Sequence, residues 1–219
     1  MRLLDTFCKA GGATRGYQMA GFEVVGVDIE PQKHYIGEHF ILADALDVLY
    51  ALAHGDCWPD QCTPPHDWHL EDFDAIHASP PCQYYSRLRY LLWMKDRVYW
   101  RSIPPTRDAL QSTGLPYVIE NVWDAHWDME SPAYICGAAL GLSLYRHRCF
   151  ETWPFPVLQP GHSKHKGVIV PGAASLGKRH HGMQGVNAWN GVAGQIDGLL
   201  RHKAIMGIDW MNGSELAQA

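Results

Sequence analysis

One thiol held behind two prolines is the most chemically pointed feature of the sequence, in Ala78-Ser79-Pro80-Pro81-Cys82-Gln83-Tyr84-Tyr85-Ser86. The prolines fix two φ angles and withhold two backbone donors, so Cys82 sits on a stiff loop. Stiffness suits a nucleophile, because a displacement of about an ångström can lose on the order of a hundredfold in rate. Most free cysteines are instead small buried apolar residues, and this stretch alone leaves both readings open. A second stretch, Pro116 to Val122, ends on a carboxylate and an amide, Glu120 and Asn121. Further on, Leu144 to Glu151 alternates as a strand does and sets Arg146 and Arg148 on one face, as an active site or a solvated edge would.

Other residue types point to ligands. Cys57, Cys62, His66 and His69 are four zinc donors in a polar, proline-rich loop spanning 54–69, at a spacing that fits no zinc-finger pattern. An insertion loop without metal is the simpler expectation.

The elements that must carry these residues follow from hydropathy. Phe73 to Ala78 reads as a buried strand that delivers Cys82, and Pro116 to Val122 as the strand that delivers Glu120. Arg2 to Phe7 is a short strand running into Cys8-Lys9-Ala10-Gly11-Gly12, with an amphipathic helix to about Ala20 and a stop at Gly21. Phe22 to Asp28 is the next strand, so the chain opens with the strand–turn–helix–strand unit of a doubly wound parallel sheet. Such sheets bind cofactors at their strand C-termini, where a Gly-Gly turn permits close approach and an acid can accept hydrogen bonds from a ribose. Helices are expected from Asp44 to about Ala53 and from about Thr106 to Ser112, and a loop with a hairpin start over 131–144.

Pro-Cys-Gln followed by Glu-Asn-Val, behind the N-terminal Gly-Gly turn, resembles the DNA cytosine-5 methyltransferases. The resemblance covers most of residues 1–151 and resumes near 199–219. It implies a Rossmann-like α/β domain dependent on S-adenosylmethionine, with a small C-terminal recognition lobe. It also implies that Cys82 attacks C6 of a flipped cytosine, that Glu120 acts at N3, that Arg146 and Arg148 hold the base and the carboxylate, and that Asn121 braces the loop. The family's Asp-x-Phe-x-Gly-x-Gly-Gly turn is matched by Asp5, Phe7, Gly11 and Gly12. Carried over in the same way, Asp28 meets the ribose, Ile29 covers the adenine, Asp44 with Ala45 meets the adenine amino group, and Pro81 lies against the cofactor. Lys9 departs from the pattern: it stands where the family has the first glycine, and its Cβ restricts φ and narrows the space beside the methionine moiety.

Size and charge fit this frame. At 219 residues the chain suits one catalytic domain over 1–151, a reduced recognition lobe over 152–198 and a return to the catalytic domain over 199–219, with an end short of the family's last cofactor-facing motif. No apolar run is long enough for a membrane span and the N-terminus enters a strand directly, so a cytoplasmic protein with reduced thiols and no obligate protein partner is expected. The net charge of −5 is unevenly spread: residues 1–159 hold 12 Lys and Arg against 20 Asp and Glu, whereas 160–219 hold 6 against 3. Arg87, Arg89, Lys95, Arg97, Arg101 and Arg107 crowd the stretch after Cys82, so two basic segments are available to grip the phosphates of double-stranded DNA. An RNA cytosine-5 methyltransferase of the same fold and a non-catalytic DNA-binding relative are the competing readings.

Overall fold

The computed structural model describes residues 1–90, 96–142, 146–162, 203 and 209–211. Leu3, Leu4, Asp5 and Thr6 of β1 (Arg2–Thr6) are all buried, as an interior strand covered on both faces requires. α1 (Gly12–Met19) follows and stops at Gly21, whose φ of 89° lets its amide reach the Gln18 carbonyl at 3.0 Å. β2 (Glu23–Asp28) and β3 (His39–Leu42) come next. α2 (Ala45–Ala53) is capped by the Asp44 carboxylate, which accepts from the Leu46 amide at 2.8 Å. A short ribbon, β4 (Trp58–Pro59) with β5 (Asp67–Trp68), leads to β6 (Ala75–Ala78). α3 (Ile103–Thr113) starts with Pro104 and Pro105 in its first turn and ends on Gly114 at φ 69°. β7 (Tyr117–Val122), β8 (Ala133–Cys136) and β9 (His147–Trp153) complete the described elements.

The main sheet runs β3-β2-β1-β6-β7-β9-β8. Its first five strands are parallel and β9 lies antiparallel to β7, a mixed edge on the parallel sheet that the sequence suggests. This is a Rossmann-like order, with the switch in strand order at β1 and β6, where such sheets place ligands. Val25, Ile41, Leu49, Leu52, Ile76, Leu110 and Ile119 are almost wholly removed from water and form the core on either side. Each contributes about 1.5–3 kcal/mol by burial.

The chain divides into a unit of Met1–Tyr134 with Arg148–Leu158 and a second of Ile135–His147 with Gln159–Ala219. Three features depart from the sequence reading. β3 occupies residues with no strand expected, β8 forms within the expected loop, and the strand carrying the arginines begins at His147, leaving Arg146 before it. Residues 143–145, and most of 152–198 and 199–219, lie outside the described residues.

Candidate active site

The parallel pairing of β6 with β7 sets Ala78 opposite Ile119, so Cys82 and Glu120 both leave the C-terminal edge of the sheet. The loop that carries Cys82 is tied at each step. The Ser79 amide donates to the Thr6 carbonyl at 3.2 Å, Asn121 Nδ2 to the Pro80 carbonyl at 2.9 Å, and Ser102 Oγ to the Pro81 carbonyl at 2.9 Å. The Tyr85 and Ser86 amides donate to the Cys82 carbonyl, making a turn that begins at the cysteine. Buried Tyr85 anchors that turn by donating to Asp128 Oδ2 at 2.9 Å and accepting from the Ile103 amide at 3.1 Å. The Cys82 side chain is exposed, whereas Cys8, Cys136 and Cys149 are buried. Burial pushes the Cys149 thiol up to about 12, helped by the Glu120 charge, and Cys149 Sγ contacts the Trp123 carbonyl.

β9 brings the arginine to the carboxylate. Val122 pairs with Arg148 and Glu120 with Phe150, and Arg148 Nε lies 2.5 Å from Glu120 Oε1 with both side chains about a quarter exposed. Asn121, between Glu120 and Val122, points to the other face, where it is 2 % exposed and ties down Pro80. Arg146 belongs to the second unit, and its carbonyl accepts from the Gly137 amide. Asn121 thus ties β7 to the Cys82 loop, and Arg148 meets Glu120 on the facing strand.

β9 is itself held by groups the sequence reading missed. Arg107 of α3 makes a bidentate pair with Glu151, Nε to Oε1 and a terminal nitrogen to Oε2, both at 2.6 Å, and also donates to the Asp128 carbonyl. Glu151 further accepts from the Glu130 amide at 2.7 Å and from Tyr117 Oη at 3.4 Å. Arg101 pairs with Asp128, and Arg89 donates to the Tyr84 carbonyl and to Tyr90. Three arginines of the basic run after Cys82 are thus engaged internally, while Arg97 is exposed. Ser102 is the N-cap residue of α3, yet it makes no side-chain cap and holds Pro81 instead. Trp100 precedes α3 and tilts against Phe7 at 6.4 Å.

The turn after β1 is the second half of the site. Phe7 and Lys9 adopt positive φ, 58° and 47°, and Gly11 adopts 88° as it leads into Gly12 and α1. A Cβ on Gly11 would come within 2.8 Å of Ile36, so only glycine fits there. Asp5 is wholly buried; its Oδ2 accepts from Thr14 Oγ1 at 2.6 Å, and its Oδ1 has no hydrogen-bond partner among the described residues. Burial pushes this carboxyl up to about 7 in spite of the bonds from Thr14. Beside it in register, His77 is buried between Tyr17 Oη at 3.0 Å and Ser79 Oγ at 2.8 Å, and burial lowers its pKa to about 4.

These residues fit an adenosyl group. Asp28 and Asp44 follow the C-terminal ends of β2 and β3, Ile29 is 65 % exposed beside Asp28, Ala45 is buried at the start of α2, and the Asp5 orphan oxygen marks a polar demand under the Gly11 turn. Lys9 complicates the fit at one point. Its amide donates to Asp28 Oδ2 at 3.0 Å and its Nζ lies 3.5 Å from Oδ1, while Glu30 and Gln32 also donate to Oδ1. Asp28 is therefore already engaged by this lysine.

The four candidate zinc donors of the 54–69 loop are not gathered. Cys57 is exposed, and no three of Cys57, Cys62, His66 and His69 bring donor atoms within 4.8 Å of one another. Asp60 orders the loop. Its Oδ1 accepts from the Cys62 and His66 amides and its Oδ2 faces His39 Nδ1 at 2.8 Å and Trp68 Nε1 at 3.2 Å. Burial alone would raise this carboxyl, but the bonds from His66, His39 and Cys62 hold it well below the usual carboxylate range.

No protein-family model and no curated protein matches the chain. Among solved structures, a Spodoptera frugiperda DNMT2 variant is similar at 18% identity over 70% of this chain and 52% of its own, with a TM-score of 0.42. The S. pombe Dnmt2 methyltransferase is similar at 14% identity over 69% of this chain and 48% of its own, with a TM-score of 0.40. The chain spans about half the length of either structure. The Rossmann-like assignment rests on the strand order. Among the described residues no helix is long and apolar enough to cross a membrane.

Proposed function

We propose that the chain transfers a methyl group from S-adenosylmethionine to C5 of cytosine in DNA through a covalent bond to Cys82. One observation carries the reading: an exposed thiol, on a loop clamped by Asn121 and Ser102, leaves the same sheet edge as the Glu120–Arg148 pair. Asp5, Phe7, Gly11, Gly12, Asp28, Ile29, Asp44, Ala45 and Pro81 would hold the cofactor, which supplies an electrophilic methyl.

Carbon 5 of cytosine is a weak nucleophile, and addition of the Cys82 thiolate to C6 converts the ring into an enamine. The new S–C6 bond pushes an electron pair toward C5 and N3. A proton held between Glu120 and N3 stabilises that charge, and Arg148 fixes the carboxylate while offering its remaining N–H groups to O2. C5 then takes the methyl, and loss of the C5 proton to water returns the electron pair that expels the thiolate. The base must leave the duplex to reach Cys82, which costs a few kcal/mol. The decisive experiment is expression in a bacterial strain lacking cytosine-5 methylation, with 5-methyldeoxycytidine measured in the digested genomic DNA by mass spectrometry. A signal lost in Cys82→Ala supports the proposal; 5-methylcytidine in RNA with none in DNA supports the RNA substrate, and retention in Cys82→Ala overturns the mechanism.

A further inference from the structure

The second unit contains a donor cluster that the methyl-transfer chemistry does not use. Cys136, the last residue of β8, His147, the first of β9, and His162 bring one donor atom each to within 4.8 Å of one another. The two imidazoles stack at 5.2 Å with 24° between their planes, and their Nε2 atoms are 3.0 Å apart. All three residues belong to the same unit.

We infer that Cys136, His147 and His162 form a binding site for a zinc-like transition-metal cation. In a tetrahedral site with Zn–N of about 2.0–2.1 Å and Zn–S of about 2.3 Å, two imidazole nitrogens stand about 3.3 Å apart. The observed 3.0 Å differs by a few tenths of an ångström. A bare N–H···N bond between two rings also gives such a distance, but it does not account for a buried thiol within 4.8 Å of a nitrogen of each ring. The backbone preorganises two of the ligands. The Gly137 amide donates to the Arg146 carbonyl at 3.0 Å, joining the residue after Cys136 to the residue before His147. Metal bound there would staple His162 to this hairpin. One sulfur and two nitrogens suit Zn²⁺ or Co²⁺ far better than Mg²⁺ or Ca²⁺. Binding exchanges the thiol proton for the metal, so one proton leaves to solvent for each ion bound.

The other cluster of this kind, His39, Asp60 and Cys62, carries no such inference, because both Asp60 oxygens already serve backbone amides, His39 and the Trp68 indole.

The test uses the full chain, stripped by chelator under reducing conditions and titrated with Co²⁺, then with Zn²⁺ against a chromophoric chelator. One equivalent of Co²⁺ with a thiolate charge-transfer band, displaced by Zn²⁺, is expected. Cys136→Ser should remove the band. Losing a second-sphere partner already weakens metal affinity by about 10–100-fold, so His162→Gln, which removes a direct ligand, should weaken it by at least about 100-fold. His162 is exposed, so that variant keeps the question answerable if Cys136→Ser does not fold. His54→Gln and Cys62→Ser should change nothing. Absence of the band in the unaltered chain, affinity unchanged in His162→Gln, or loss of the band in Cys62→Ser would each overturn the assignment.

Discussion

Replacing Glu151 by leucine removes the carboxylate that binds Arg107 twice at 2.6 Å and that also receives the Glu130 amide. Arg107 is 8 % exposed and Glu151 2 %, so the guanidinium has no route to full hydration. Its nearest substitute is Glu130, 3.7 Å away on a side chain 69 % exposed, where water screens the attraction. Leaving one partner of a buried pair alone costs about 3–5 kcal/mol. At about 2–4 °C per kcal/mol for a chain of this size, that lowers the melting temperature by about 6–20 °C. The assay is chemical and thermal unfolding of the purified chain followed by circular dichroism. Arg107→Met combined with Glu151→Leu removes both charges and should recover most of the loss, because an apolar pair of similar volume is often neutral against a buried ion pair. The consequence reaches the site, since β9 carries Arg148 to Glu120. A Glu151→Leu loss below about 1 kcal/mol, or a double variant less stable than the single one, would refute the claim that this pair is what seats β9 on α3.

Three further outcomes are expected. Asn121→Ala releases the Pro80 carbonyl and lets the nucleophile loop drift, so turnover should fall by about a hundredfold with little change in DNA affinity, read by single-turnover kinetics and a binding titration. Lys9→Gly relieves a left-handed backbone worth about 1–2 kcal/mol and removes the Nζ that lies 3.5 Å from Asp28 Oδ1, so it should raise stability and tighten S-adenosylmethionine binding in calorimetry. Asp5 carries a folded-state pKa of about 7 against an ordinary 3.8, so the folded chain keeps a proton that the unfolded chain has lost. Its contribution is therefore full below pH 4 and falls away as pH rises to about 7, by on the order of 4 kcal/mol. Comparing urea unfolding of the unaltered chain and Asp5→Asn across that range should show the variant lacking this downward slope.

The sequence is most legible where one physical signal dominates. β1, α1, β2, α2 and β7 lie within two residues of where hydropathy and caps place them, because each pairs an apolar pattern with a clear stop such as Gly21 or Gly114. β3 is four residues long and only Ile41 is buried, too little pattern to distinguish from a loop. The 54–69 segment reads as an insertion loop, and its order comes from one buried aspartate saturated with hydrogen bonds that residue types alone do not announce. In the basic run after Cys82, Arg101 and Arg107 pair with Asp128 and Glu151, partners distant in sequence. Long-range pairs of this kind leave no local trace. The reading that Lys9 disturbs the cofactor turn was open to inference from residue type alone, but its direction, across to Asp28, required the backbone conformation.

Glu120 and Asn121 are neighbours on β7, and the pleat sends them to opposite faces. One strand thus works as a two-sided key: one tooth meets Arg148, the next locks Pro80. The two teeth cannot be adjusted separately, since sliding β7 by one position would present each to the wrong lock. Loops around this sheet can lengthen or shorten freely in a lineage, whereas a one-residue insertion or deletion between Tyr117 and Asn121 would unfasten the nucleophile and strip its arginine in one event. Surviving variation in this strand should therefore be confined to substitutions.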